Sequence, residues 1–170
     1  MTGYEAGKTM NPRGKLPRVA LALALVLAGG AAVAQSARSV SSPAIAANAV
    51  RWSPVPAAIP AGAQIAVLMG DPTKAGPFVA RLRFPPGYRF PAHTHSVDEL
   101  VTVLSGTVHF ARGNTLDRTK GRPLGQHGFN PTPAGVPHYL YTDRGATIQI
   151  QGEGPFDFKY LKASDDRRNR

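Results

Sequence analysis

The sequence contains no cysteine among its 170 residues. It therefore offers no thiolate for nucleophilic catalysis or metal binding, and no disulfide can stabilise the folded chain. A metal ion would have to be bound by histidine, aspartate or glutamate side chains. Stability has to come from a hydrophobic core or from oligomerisation, and the length allows one domain with additional segments.

Acidic residues are scarce as well, with 10 Asp and Glu against 20 Lys and Arg, so the formal net charge is +10. The basic residues are scattered, and the one dense charged cluster lies in a polar tail at residues 164–170. No run of Lys and Arg with interleaved aromatic residues follows the pattern of a nucleic-acid-binding surface. We therefore expect no nucleic-acid partner and interpret the charge mainly as a solvated surface, with an anionic ligand as the alternative.

The N-terminus combines a basic lead with a short apolar run at residues 19–34, which ends in Ala-Val-Ala. This pattern is typical of a secretory signal peptide, here residues 1–34 with cleavage after Ala34, and it predicts a periplasmic or secreted protein. An uncleaved membrane anchor is the alternative, although the run is short for a span and contains a Gly-Gly pair. Translation starts at Met1 or at Met10.

Residues 35–50 are small and polar and predict a flexible linker. From residue 51 to 163, short runs of β-branched and aromatic residues alternate with Gly- and Pro-rich turn signals, without a long helical stripe. This pattern predicts an all-β sandwich or barrel. The predicted strands are 63–69, 77–84, 99–105, 107–112, 138–142, 146–151 and 156–161. Alternation within the second of them places one set of side chains on a common face: Phe78, Ala80, Leu82 and Phe84.

Two of the five histidines, His93 and His95, are separated by one residue, and Glu99 follows four residues later. In an extended chain, residues i and i+2 point to the same face, so the two imidazoles would project together. A short connection would then bring Glu99 beside them on the adjacent strand. Two imidazoles and one carboxylate suit Fe, Mn, Zn, Ni or Cu. The alternative is a surface pair or a hydrogen-bonded core pair.

The wider spacing is more specific than the histidine pair alone. A first motif, G-x5-H-x-H-x3-E-x6-G, comprises Gly87, His93, His95, Glu99 and Gly106. A second, P-x-G-x-x-H, comprises Pro133, Gly135 and His138. These two motifs resemble those of the cupin family.

Two positions depart from that family's pattern. His127 stands where the second motif begins with Gly, and Thr142 stands where it ends with Asn. The resemblance implies a single jelly-roll β-barrel of the cupin kind that pairs through edge strands into a homodimer. It also implies one divalent transition metal (Fe, Mn, Ni, Cu or Zn) with coordination positions left open. The implied ligands are His93, His95, Glu99 and His138, and Glu99 is also the candidate catalytic base.

This ligand set leads to three hypotheses about function. The first is a metal-dependent oxidoreductase that carries out dioxygenase-like oxidation of a small molecule, with the metal as Lewis acid or electron conduit. The second is a non-catalytic periplasmic protein that binds a small ligand or a metal. The third is a structural zinc that replaces the missing disulfides, which predicts that chelation unfolds the domain.

Four further residues are weaker candidates for the site. We expect His109 and His127 to lie at the surface or in hydrogen bonds, because neither has motif spacing. Arg81 and Arg83 share one face of a predicted strand and would suit a carboxylate ligand. A solvent-facing stripe is the favoured interpretation of that pair.

Overall fold

The structure is a computed structural model that describes residues 43–169. The predicted signal peptide, residues 1–34, lies outside the described residues, as does the first half of the predicted linker. Within the described range, no helix is long and apolar enough to cross a membrane. The only helices there are short 3-10 turns at Ala47–Ala49, Ala163–Asp165 and Arg167–Asn169.

Residues 43–169 form eleven β-strands in two antiparallel sheets. The strands are β1 (Ser53–Pro54), β2 (Gln64–Met69), β3 (Gly76–Phe84), β4 (Arg89–Thr94), β5 (Glu99–Gly106), β6 (Val108–Arg112), β7 (Arg122–Leu124), β8 (Phe129–Thr132), β9 (His138–Tyr141), β10 (Ala146–Gly154) and β11 (Lys159–Tyr160). One sheet has the order β1-β2-β3-β10-β5-β8 and the other has the order β11-β4-β9-β6-β7. The predicted all-β jelly-roll is confirmed.

The strand β4 was expected only as an extended chain around His93 and His95, and three short strands, β1, β7 and β8, were not predicted at all. Each contains a proline, Pro54, Pro123 or Pro131 respectively. A proline cannot donate to a β-ladder, so it is tolerated at a sheet edge, and all three strands are edge strands. The predicted strand at 156–161 was too long, since only Lys159–Tyr160 pairs with a neighbour. Pairing of two chains through such an edge stays a prediction.

The hydrophobic core lies between the two sheets. As predicted, alternation along β3 buries its phenylalanines together with Ala80 and Leu82, while the next strand in the sheet, β10, contributes Ile148 and Ile150. The facing sheet contributes Phe90, Phe110 and Leu140. Burial of this apolar surface is the main stabilising term for a chain without disulfides.

The other face of β3 points outward, as the favoured interpretation of its arginines predicted. The guanidinium of Arg83 lies 4.0 Å from the ring centre of Trp52. Arg81 donates from Nε to Oε1 of Gln149 on the neighbouring strand, at 3.2 Å. Both arginines therefore lie on the outer surface of the sheet, away from the histidines.

A bulge in β4 decides which of its residues face the barrel interior. Phe90 pairs with Leu140, but the next aligned pair is His93 with His138, so one extra residue is inserted in β4. Because side chains alternate along a strand, this insertion shifts the inward-facing positions from even to odd numbers. Phe90 thus packs in the core, and His93 and His95 point inward beyond it.

Candidate metal centre

Three buried imidazoles converge at one end of the barrel. One nitrogen from each of His93, His95 and His138 lies within 4.8 Å of the other two. The three residues are 2%, 3% and 3% exposed. His93 and His138 are direct partners on β4 and β9, with ring centres 4.3 Å apart. The predicted approach of the second-motif histidine to the first-motif pair is confirmed, and these three residues could hold a metal ion.

Glu99 reaches the same place from the opposite sheet. Its Oε2 lies 3.4 Å from Nε2 of His138 and 3.8 Å from Nε2 of His95. The sequence placed Glu99 on a strand adjacent to the histidine pair, and this was wrong. The connection at residues 96–98 crosses from β4 in one sheet to β5 in the other, and these two strands do not pair. The carboxylate therefore closes the site from the facing side.

Backbone hydrogen bonds join the two motifs. The backbone N–H of Gly135 donates to the carbonyl oxygen of His95 at 2.9 Å. The neighbouring N–H of Ala134 donates to Oδ1 of Asp98 at 2.8 Å. Gly135 has a φ of 73°, in the left-handed region that favours glycine. The loop before His138 is therefore anchored on the segment that carries the other ligands.

Each ligand histidine is oriented by a backbone carbonyl. The Nδ1 atoms of His93, His95 and His138 lie 2.7, 2.5 and 3.0 Å from the carbonyl oxygens of Pro91, Asp157 and Val136. A carbonyl only accepts, so Nδ1 carries the proton in each ring. In a neutral imidazole, Nε2 then keeps its lone pair, and the three Nε2 atoms are the available ligand atoms.

The nitrogen Nε2 of His95 shows that these residues fit a metal. It is buried and has no hydrogen-bond partner among the described residues. A buried polar atom without a partner is costly, and a cation would satisfy it together with the other two imidazoles. Three nitrogens and one carboxylate oxygen are a donor set for a borderline divalent ion, and no thiolate is available.

Burial keeps two of the imidazoles neutral. It lowers the pKa of His93 well below its ordinary value, and the neighbouring His138 and His95 lower it further. Burial also lowers the pKa of His95, against the opposing effect of the Glu99 carboxylate. Only the neutral imidazole binds a metal, so these shifts favour binding near neutral pH.

The same shifts predict a pH dependence of the metal-free protein. Below the ordinary histidine pKa of 6.5, the unfolded chain binds protons that the folded chain excludes. The free energy of unfolding should therefore fall as the pH falls below that value, by at most about 1.4 kcal/mol per pH unit for each histidine. Urea unfolding of chelator-treated protein between about pH 7.5 and 5.5 measures this slope. The double variant His93→Gln/His95→Gln should have a shallower slope, and equal slopes would contradict the prediction.

An aromatic wall shields the histidines on one side. The ring of Phe156 stacks on His95 with a centre-to-centre distance of 4.2 Å. Phe90 stacks on His93 at 4.4 Å, and Phe158 lies 5.0 Å from His95. For the segment that carries Phe156 and Phe158, the sequence predicted only a strand. Its contacts with the site depend on how the end of the chain returns to the barrel.

Asp157 is a residue of the site that sequence reasoning missed. Its carbonyl accepts the His95 Nδ1 proton, and its carboxylate accepts hydrogen bonds from the backbone and hydroxyl of Ser96 at 2.6 and 2.7 Å. Lys159 lies 3.3 Å from the same carboxylate. A carboxylate that holds the residue after a ligand fixes the position of that ligand. No spacing in the sequence indicates this contact, which joins segments 61 residues apart.

We expect Asp157→Ala to weaken metal binding about 10- to 100-fold, the usual effect of losing a group that orients a ligand. Competition with a chromophoric chelator measures the affinity. Asp71→Ala is the matched control, because Asp71 makes the same kind of contact with Thr73, at 2.9 Å to N and 2.7 Å to Oγ1, in an exposed turn. Equal affinities of the two variants would contradict the role of Asp157.

The remaining histidines lie outside the cluster, as expected. His109 stacks on Tyr141 with ring centres 4.6 Å apart, and His127 is exposed in a turn with a φ of 69°. Thr142, where the cupin pattern has Asn, is fully buried, and its hydroxyl donates to the carbonyl of Thr107 at 2.7 Å. That position therefore links the segments after β9 and before β6.

A cavity of about 60 Å³ reaches the site at His138. Its other lining residues include Phe110, Arg112, Asn130 and Thr132. A larger concavity of about 650 Å³ lies between Met69, Phe78 and the loop at Asp98. None of the four candidate ligands lines that larger space, whereas His138 lines the small cavity.

A sequence model of the ChrR cupin-like domain matches residues 41–154, more than half of the chain. The protein belongs to the ChrR cupin-like family. The resemblance seen in the two histidine motifs is thereby confirmed, and the ChrR cupin-like domain includes all four candidate ligands. No curated protein sequence matches the chain.

Solved structures show that the ChrR cupin-like chain shares its fold with several cupins. The polyketide cyclase RemF from Streptomyces resistomycificus has 15% identity and a TM-score of 0.59, covering 74% of this chain and 89% of its own. An acetylacetone dioxygenase from Acinetobacter johnsonii has 18% identity and a TM-score of 0.54, covering 69% and 76%. An RmlC-like cupin from Shewanella frigidimarina has 13% identity and a TM-score of 0.52, covering 66% and 91%. At sequence identities this low, the similarity shows a shared fold only.

Proposed function

We propose that this protein is an exported enzyme that uses one divalent transition metal for a dioxygenase-like oxidation of a small molecule. The observation that carries the proposal is the convergence of three buried imidazoles and one carboxylate, with the lone pair of His95 Nε2 unsatisfied. A fold shared with an acetylacetone dioxygenase supports the reaction class. Fold alone does not decide function, so the proposal rests on the geometry of the site.

In this reaction, each residue of the site would have a separate role. His93, His95 and His138 would hold the metal through Nε2, with their rings fixed by carbonyl acceptors. When bound, the metal supplies Lewis acidity and, if it is Fe, Mn or Cu, redox chemistry. Glu99 accepts a proton at Oε2, which faces Nε2 of His138. The aromatic wall of Phe156 and Phe158 keeps water from the side of His95.

Oxygen consumption tests this function directly. Purified protein loaded with Fe(II) or Mn(II) is assayed in an oxygen electrode with a panel of phenolics and diketones. We expect uptake with at least one compound, and loss of that uptake in His95→Ala. His109→Ala is the control, because His109 stacks on Tyr141 outside the cluster and should leave uptake unchanged. Uptake that survives in His95→Ala would overturn the proposed role of the site.

The second candidate function is a non-catalytic binding protein for a small ligand. The size of the cavity at His138, about 60 Å³, favours it, because this space admits only a few atoms. It predicts a ligand-induced rise in melting temperature without any product. The structural-zinc hypothesis predicts instead that chelation unfolds the domain. The extensive core between the two sheets leads us to expect a folded metal-free protein.

Export is proposed from the N-terminal sequence. A basic lead, an apolar run and an Ala-Val-Ala ending precede Gln35. The N-terminal sequence of protein recovered from the periplasm or medium should therefore begin at Gln35. Recovery of an intact N-terminus in the membrane fraction would favour the anchor.

A further inference from the structure

We infer that Arg112 recognises a small carboxylate or enolate anion at the mouth of the cavity beside His138. The inference deepens the proposed function, on which it rests, by naming the chemical class of the ligand. The anionic group of the ligand would meet the guanidinium within the cavity that His138 also lines. Arg112 would thus be a binding residue and not a ligand of the metal.

The strand register places Arg112 on the same face as the metal ligands. Arg112 on β6 is the direct partner of His138 on β9. Directly opposed residues of an antiparallel pair project to the same face of a sheet. His138 is buried inside the barrel, and the preceding pair on this face, Phe110 with Leu140, lies in the core. Arg112 is exposed at the rim of the barrel interior, and it lines the same cavity as His138.

The guanidinium of Arg112 has no carboxylate partner among residues 43–169. Within that range, Arg118 forms an ion pair with Asp143 and Arg168 with Asp166, whereas Arg112 forms none. The one carboxylate of the site, Glu99, faces Nε2 of His138 and His95. Arg112 lines the cavity, and its planar fork of N–H donors, without a carboxylate partner in the described part of the chain, is able to bind a carboxylate through two oxygens.

The rest of the cavity limits the size and polarity of the anion. Its volume of about 60 Å³ suits a small ligand. Asn130 donates from Nδ2 to Oγ1 of Thr132 at 2.9 Å, so the Thr132 hydroxyl proton remains free to donate to a ligand oxygen. Phe110 contributes an apolar wall. A short acid or enolate with a small apolar group fits this combination of partners.

Acetate binding to Co(II)-loaded protein tests the inference without requiring turnover. The visible spectrum of Co(II) reports ligands that bind beside it. We expect Arg112→Gln to raise the Kd for acetate about 10- to 100-fold, as expected for loss of hydrogen bonds to a charged group. Arg112→Lys should lie between wild type and Arg112→Gln, because it keeps the charge but not the fork. Binding of the neutral isostere acetamide should not distinguish the three proteins.

Arg144→Gln is the matched control, since Arg144 is exposed in the turn between β9 and β10 and does not line this cavity. Its acetate Kd should equal that of wild type. Cobalt content, measured by elemental analysis, should be the same in all variants. An acetate Kd that Arg112→Gln leaves within twofold of wild type overturns the inference, and so does a wild-type protein that binds cobalt but no acetate.

The same experiment separates this inference from the proposed function. A wild-type protein that binds no cobalt contradicts the proposed metal centre. The role of Arg112 is then read from the metal-free protein, by the NMR shift of its Nε–H during acetate titration. A shift that saturates for Arg112 and not for Arg144 supports anion recognition, and equal, non-saturating responses overturn it.

Discussion

His138→Gln should abolish stoichiometric metal binding. His138 is the one candidate ligand from the second motif, and its Nε2 lies 3.4 Å from Oε2 of Glu99. Glutamine keeps a polar side chain of similar length but cannot place an sp² nitrogen lone pair at the same point. We expect metal affinity to fall by more than about 100-fold, beyond the usual effect of losing a supporting group. Elemental analysis after dialysis against a weak chelator measures the metal content.

His109→Gln is the control for this substitution. His109 lies on β6 and stacks on Tyr141, so its loss should leave the metal content unchanged. Far-ultraviolet circular dichroism of both variants shows whether the barrel is intact. A folded His138→Gln protein that keeps one metal per chain would remove the second motif from the site.

Phe78→Ala should produce the largest loss of stability of any single substitution considered. Phe78 is 1% exposed on the inner face of β3, and its ring packs edge-to-face on Phe156 with centres 5.2 Å apart. Removing a buried phenylalanine side chain leaves a cavity and costs about 3–5 kcal/mol. Urea unfolding measures the change in the free energy of unfolding. Because Phe156 in turn stacks on His95, we also expect weaker metal binding.

Phe129→Ala is the matched control, since the same side chain is removed from an edge strand where it is 53% exposed. Its effect on stability should lie within about 0.5 kcal/mol. Similar losses in the two variants would show that the core does not lie between the sheets at Phe78.

The strands could be predicted where the apolar and polar residues alternate within one short segment. Strands such as β3 and β10 alternate between apolar and polar residues, and this alternation assigned their faces correctly. Strands β7 and β8 contain Pro123 and Pro131, and proline disfavours a strand except at an edge, at its first residues or at a bulge. Edge position is a property of the assembled sheet, so the sequence could not indicate these strands.

The two motifs predicted the histidines of the site because they specify residue type and spacing together. They did not indicate that Glu99 belongs to the opposite sheet, nor that a bulge before His93 changes the inward-facing positions. Both depend on which strands pair, and pairing joins residues far apart in the chain.

The sequence by itself determined the all-β character, the absence of thiol chemistry and the identity of the three histidines, since residue type and side-chain alternation are properties of short segments. Only the tertiary structure decided how the site is oriented and what it can bind. The carbonyl of Asp157 and the rings of Phe156 and Phe158 contact His95, and Arg112 lines a cavity with His138, because the barrel closes. Closure brings together segments whose spacing in the chain does not indicate that they touch. Those contacts orient the imidazole lone pairs and determine the dielectric and the charge at the site.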